Sequence, residues 1–154
     1  MTSIIKPMSI DDIISRKARN TDLNNIQQLL DDNQLPIDDC SVHLKNFIVL
    51  EHNEKIIVVG GIEIFHDLGL IRSITVNKRY RNSGLGKHMC QLISDKAVSQ
   101  GIKRLYLLTE TAQAFFEGQG FRVIDRANAP AEIKSTQQFD KLCPSSAVLM
   151  LRSI

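Results

Sequence analysis

NKRYRNSGLGKHM, residues 77–89, lies between an apolar run and an amphipathic segment. Its two glycines, Gly84 and Gly86, allow a backbone to approach another molecule closely, and Arg81 and Lys87 beside them point to an anion. Three phosphate-binding loops share this look. A Walker A loop would need glycine where Arg81 stands and Ser or Thr where His88 stands. The dinucleotide fingerprint G-x-G-x-x-G fits Gly84 and Gly86 but meets Met89 at its third glycine, and it belongs in an opening βαβ unit, not mid-chain. The pattern Arg/Gln-x-x-Gly-x-Gly/Ala is filled by Arg81, Gly84 and Gly86. It follows a strand and opens a long helix, so loop N–H groups and the helix dipole would converge on a pyrophosphate. A plain tight turn before a helix is the competing account of the same residues.

Working outward, LGLIRSITV (68–76) reads as a strand before the loop, and Leu85, Met89, Leu92, Ile93 and Ala97 recur with helical spacing after it, up to a stop at Gly101. KNFIVLEH and KIIVVGGIEIF, joined by the polar pair Asn53-Glu54, form a hairpin pattern ahead of that strand. Earlier still, ISRKARN is a first strand. TDLNNIQQLLDD places Leu23, Ile26, Leu29 and Leu30 on one helical face, with Asn20 or Thr21 as N-cap and Leu35-Pro36 as terminator. Downstream come a short strand KRLYLLT, a short helix TAQAFFEGQG and a strand FRVID. Pro130 suits a helix's first turn, Ser135–Gln138 reads as a capping box, and SAVLML is a last strand. Tight connections in the first half imply antiparallel pairing, and the helix between LIRSITV and RLYLLT implies a parallel crossover. The expected fold is a mixed α/β (α+β) sheet of about six or seven strands flanked by helices.

With 154 residues, 43% hydrophobic and 23% charged, the chain has one domain's worth of core, and its first 13 residues read as a short leader. That leader resembles neither a signal peptide nor a membrane anchor. A net charge of +2 is far from the balance of a dedicated nucleic-acid binder. Cys40, Cys90 and Cys143 are odd in number and form no C-x-x-C, which fits reduced thiols in the cytoplasm. Cys143 reads as a buried small hydrophobe, since no His–Cys pairing is visible. None of His43, His52, His66 and His88 stands at a metal-ligand spacing, so no metal is expected.

In its context, SITVNKRYRNSGLGKHM resembles the acetyl-CoA segment of the GNAT acetyltransferases, and FFEGQGF is similar to that family's aromatic-x-x-x-Gly-Phe. LLTETAQAFFEGQGF and VNKRYRNSGLG are similar to runs of the N-acetylglutamate synthases within that family. The tail APAEIKSTQQFDKLCPSSAVLM resembles that of small GNAT proteins encoded beside arsenic-resistance genes. The resemblance implies a single GNAT domain over 1–154 that uses acetyl-CoA as cosubstrate. It places the pantetheine arm along Ile74, Thr75 and Val76 and the pyrophosphate on Arg81, Asn82, Ser83, Gly84, Leu85, Gly86 and Lys87, with Thr109 and Phe116 flanking the thioester end. It also implies an oxyanion donor among the backbone N–H groups near Ile74 or Val76. The acceptor would be a small-molecule amine, amino-acid-like, with neither nucleic acid nor membrane as partner; a homodimer is one option for its assembly.

Amine attack on a thioester needs a proton acceptor, donors at the developing oxyanion and a proton for the leaving sulfur. Many GNAT enzymes place a tyrosine acid where this chain has Phe116, which cannot donate a proton; the glutamate synthases also carry Phe there. Glu63, in an apolar run, and Glu110, after RLYLLT, are the candidate catalytic bases, each with an outward-facing, solvated role as its alternative. Arg72 interrupts LGLIRSITV, where burial without an anion is costly. It either clamps a substrate carboxylate or pairs with Glu63 or another acid. Ser146 corresponds to a substrate-binding serine of the glutamate synthases, but the arginine they carry two residues earlier is Pro144 here, which argues against ordinary glutamate held in the same way. Peptide acetylation and an acyl-CoA-binding module without turnover are the alternatives to an amino-acid acetyltransferase.

Overall fold

The computed structural model describes residues 12–142 and 145–154, so most of the leader, Cys143 and Pro144 lie outside the described residues. In chain order the elements are β1 (Ile14–Lys17), α1 (Leu23–Asp32), α2 (Cys40–His43), β2 (Phe47–His52), β3 (Lys55–Phe65), β4 (Leu68–Val76) and α3 (Leu85–Ser99). There follow β5 (Arg104–Thr109), α4 (Gln113–Gly118), β6 (Arg122–Ile124), α5 (Ala131–Lys134), a π-helical turn at Gln138–Leu142 and β7 (Val148–Ser153). The strands form one sheet in the order β1-β2-β3-β4-β5-β7-β6. Every neighbouring pair is antiparallel except β4 and β5, which run parallel across the α3 crossover as the sequence implied.

The β2–β3 hairpin turns at Asn53 and Glu54, both left-handed (φ 52° and 65°), which matches the twist of its strands. On one sheet face α3 buries Leu85, Met89, Ile93 and Ala97 against Ile62, Ile71 and Leu105. The opposite face carries two separate apolar clusters. Under α1 and α2, Ile26, Leu29, Leu30 and Leu44 meet Phe47, Val49 and Val59. Under α5, Ala129 and Ile133 meet Leu68, Leu70, Tyr106, Leu149 and Leu151. The register pairs Val59 with Thr75, Gly61 with Arg72 and Glu63 with Leu70, so Glu63 and Arg72 stand where these two clusters adjoin.

Two local expectations change. Neither Asn20 nor Thr21 caps α1: they form a 3-10 turn with Asp22, whose carboxylate accepts from the Arg19 N–H (2.6 Å) and from the Arg16 guanidinium. Ser135 does not open a helix either; its hydroxyl closes α5 by donating to the Glu132 carbonyl (3.0 Å). Thr136, one residue later, takes the capping role, its Oγ1 accepting from Phe139 N (3.2 Å).

Candidate active site

β4 and β5 part company early. They pair only over Leu68–Leu70 and Arg104–Tyr106, whereas β5 continues against β7 as far as Thr109. Beyond Leu70 the facing backbone edges of the two strands therefore enclose a wedge. β4 also bulges there: between the pairs Gly61–Arg72 and Val59–Thr75, Ser73 and Ile74 oppose Gly60 alone. Ser73 holds a left-handed φ of 62°, a conformation that disfavours any side chain. Arg72 Nε donates to its hydroxyl (3.2 Å) and Thr75 Oγ1 donates to its carbonyl (3.3 Å), which fixes the kink. The bulge turns the backbone around Ile74, where an oxyanion donor is implied.

The loop after β4 is anchored before it reaches α3. Asn77 N donates to Ile57 O (2.8 Å), Asn77 Oδ1 accepts from Arg79 N (2.9 Å), and Tyr80 OH meets His52 Nδ1 (3.1 Å). Ser83 Oγ bonds Tyr80 O, and Arg81 reaches across to Asn33 at the end of α1. Gly84 takes φ 81°, and a Cβ built there would meet nothing within 4 Å, so the space beside it is open to a ligand. A Cβ at Gly86 would lie 3.3 Å from the Phe115 ring. The first N–H groups of the 15-residue α3 have no partner within the helix. This loop, the helix terminus and the wedge edge suit a molecule with a pyrophosphate and an extended amide-bearing arm, which is what CoA offers. Leu85 is itself a core residue, so only its backbone can serve. Thr109 Oγ1 accepts from Ala112 N (3.0 Å) at the start of α4, and Phe116 is buried edge-on between Phe115 and Phe121.

Beside the wedge, on the face away from α3, lies a buried polar cluster. Both Asp39 oxygens accept from the Arg72 guanidinium, whose Nη1 also approaches Glu63 Oε2 (3.3 Å). His43 Nε2 lies 3.4 Å from Glu63 Oε1 and 3.6 Å from Asp39 Oδ2. Of the alternatives for Arg72, the salt bridge to Glu63 and another acid is present. A carboxylate clamp by the same group would need Asp39 to yield. Burial pushes the Asp39 carboxyl up, but Arg72 outweighs it and the net shift is downward. At Glu63 burial wins over the opposing pull of His43 and Arg72, and its carboxyl is raised. Arg72 stays charged, since Asp39 and Glu63 overcome the effect of its burial.

Glu110 and Ser146 come together: Ser146 Oγ donates to Glu110 Oε1 (2.8 Å) on the exposed rim between β5 and β7. Arg126 holds the segment that leads there, donating to Ala147 O (2.9 Å) and Phe139 O (3.3 Å) while stacking 4.5 Å from the Phe139 ring centroid. Sequence reasoning missed Asp39 and His43. Their one signal is the i, i+4 spacing of an acid and an imidazole, on a helix of a single turn.

The family model described as acetyltransferase (GNAT) family matches residues 14–121. Among curated relatives, an amino-acid acetyltransferase of Aeromonas salmonicida is 23% identical over 131 residues, covering 84% of this chain and 26% of that protein. The amino-acid acetyltransferase of Mycobacterium tuberculosis is 28% identical over 142 residues, covering 86% of this chain and 78% of that one. The chain thus spans about a quarter of the Aeromonas relative and most of the mycobacterial one. N-acetylglutamate synthase from Neisseria gonorrhoeae, solved with coenzyme A and N-acetyl-glutamate, superposes with a TM-score of 0.79 at 21% identity, over 92% of this chain and 35% of that one. A Mycobacterium tuberculosis protein solved with CoA and NLQ gives 0.78 at 23% identity, over 92% and 99%. At these identities the superpositions show a common fold.

Proposed function

Since the chain belongs to the GNAT acetyltransferase family, we propose that it moves the acetyl group of acetyl-CoA to the amino group of a small amino acid or analogue, by direct attack in a ternary complex. The observation that carries this reading is the coincidence of three features: the wedge beyond Leu70, the bulge at Ser73–Ile74, and the polar cluster of Asp39, His43, Glu63 and Arg72 beside them. The names of the curated relatives, and the N-acetyl-glutamate bound by the gonococcal enzyme, support an amino acid as acceptor.

Acetyl-CoA, when bound, supplies the thioester carbonyl that the amine attacks. The N–H groups around Gly84–Lys87, with the α3 dipole, hold its diphosphate, helped by Arg81 once that side chain leaves Asn33. Backbone groups of Ile74, Thr75 and Val76 align the arm, and the N–H at the bulge donates to the oxygen as it gains charge. Phe116 excludes water from the thioester end. Glu63 belongs to the proton-accepting side of the reaction, its burial favouring the protonated form. Glu110 and Ser146 sit at the rim, where they meet the acceptor's polar end. Arg72 acts through Asp39 and Glu63, or on a substrate carboxylate if Asp39 is displaced.

The test is CoA-thiol release by purified protein against a panel of free amino acids and phosphinic or sulfoximine analogues. Burial raises the thiols of Cys40 and Cys90, Cys90 to about 11, so neither should add background at neutral pH. Release with one acceptor class is the expected outcome. Tight acetyl-CoA binding by calorimetry with no release to any amino acid would refute the reading and favour a peptide acceptor or a binding module.

A further inference from the structure

The geometry points to His43 as the proton acceptor that meets the substrate amine, with Glu63 and Asp39 holding its ring from behind; this rests on the acetyl-transfer reading above. Proton balance requires such a group. The amine enters as an ammonium and leaves as an amide: the N–C bond forms, the C–S bond breaks, and nitrogen gives up two protons. The departing thiolate takes one. The other has to leave the site, and a side chain that reaches solvent gives it a route.

Within the cluster only His43 does. Its side chain is 26% exposed, against 1% for Asp39, 6% for Glu63 and none for Arg72. Its Nε2 faces carboxylate oxygens of Glu63 and Asp39 at 3.4 and 3.6 Å, which favours the tautomer with the ring hydrogen on Nε2 and leaves the Nδ1 lone pair as the base. The charges favour the same event. Asp39 and Arg72 neutralise each other through paired hydrogen bonds, so an ionised Glu63 leaves the cluster one negative charge in excess. A proton taken by His43 cancels that charge at 3.4 Å from Glu63 Oε1. Asp39 at the N-cap of α2, Glu63 on β3 and Arg72 on β4 are the charged groups packed around the ring among the described residues, with the Cys40 thiol beside Arg72.

A divalent cation is a poorer occupant. Ligand atoms of Asp39, His43 and Glu63 do lie within 4.8 Å of one another. However, both Asp39 oxygens and Glu63 Oε2 are spent on a guanidinium that would repel the ion. Position suits the proton role as well. Glu63 is the register partner of Leu70, the last β4 residue paired with β5, so the cluster stands beside the mouth of the wedge.

The experiment compares wild type, His43→Gln and His43→Ala by amine-dependent CoA release across pH, together with carboxyl ¹³C NMR of Glu63. Expected are a loss of about 10²-fold or more in kcat for His43→Gln, with KM for acetyl-CoA within about twofold. The acidic limb of the wild-type pH profile should disappear in that variant, and added imidazole should restore part of the rate to His43→Ala. The Glu63 carboxyl should titrate at higher pH in His43→Gln, because the imidazolium that draws it down is gone. Full kcat with an unchanged profile overturns the inference. So does lost activity with the acidic limb intact and no imidazole rescue, which marks a structural role, or a Glu63 titration that does not move. Absence of wild-type turnover with every amine sinks the acetyl-transfer reading and this inference together.

Discussion

Replacing Arg72 by methionine tests how the centre of the sheet is held together. Among the described residues Arg72 makes four hydrogen bonds, three of them to the buried carboxylates of Asp39 and Glu63, and its own side chain has no exposed surface. Methionine fills similar volume, so packing against Phe47 largely survives and the change isolates the charge. Breaking a buried pair from one side costs about 3–5 kcal/mol. For a chain of this size each kcal/mol lowers Tm by about 2–4 °C, so the variant should melt roughly 6–20 °C below wild type at pH 7. The pH dependence gives a second handle. Asp39, with its lowered carboxyl, stabilises the fold above the usual carboxylate range, and this is lost as pH falls through its folded value. Glu63, with a raised carboxyl, contributes stability that is present at low pH and lost as pH rises through its folded value. Without Arg72 both carboxyls rise, so acidification from pH 7 towards about 4.5 should narrow the gap between variant and wild type. Thermal melts followed by circular dichroism over that range measure it. A drop under about 2 °C at pH 7, or a gap that ignores pH, would refute the assignment of Arg72 as the anchor.

A Cβ at Gly61 would lie 2.4 Å from ring carbons of the fully buried Phe47; Gly61→Ala should cost about 1–3 kcal/mol, read from the urea midpoint. Gly86→Val crowds Phe115 and the floor of the loop, and acetyl-CoA binding by calorimetry should weaken by about tenfold or more, a loss of about 1.4 kcal/mol, while Tm without ligand changes little. Ser146→Ala removes an exposed hydrogen bond to Glu110, so stability should stay within about 1 kcal/mol; steady-state kinetics should show a higher KM for the amine and an unchanged one for acetyl-CoA.

The strand-loop-helix at the centre was legible because each step has a local cause. Leu68–Val76 is an apolar run, Gly84 supplies a left-handed residue, and the helical spacing of α3 follows at once. Glu63 and Arg72 were legible as charges interrupting apolar strands, and such charges demand partners. The identity of the main partner was not. Asp39 lies 33 residues before Arg72, and the single turn that carries it beside His43 is placed by packing on β3 and not by its own helical preference. The bulge was hidden for a similar reason. Ser73 has no intrinsic liking for φ 62°, and it is the β3 pairing on either side of it, with its contacts to Arg72 and Thr75, that holds it there. Ser135 and Thr136 show the resolution limit of cap reading, since adjacent hydroxyls offer the same signal and tertiary context chooses between them.

No helix among the described residues is long and apolar enough to cross a membrane. The parting of β4 from β5 after Leu70 carries a different implication, for how the chain keeps company with other proteins. Unsatisfied strand edges are sticky, and proteins usually blunt them with charge, proline or a covering segment. Here a pair of such edges is retained in the interior of the sheet, shielded by β3 on one side and β7 on the other. Because these edges face each other and not outward, neither forms an outer rim of the sheet onto which a passing strand could add. On the proposed reading, that backbone hydrogen-bonding capacity is kept for the arm of acetyl-CoA and withheld from neighbouring chains.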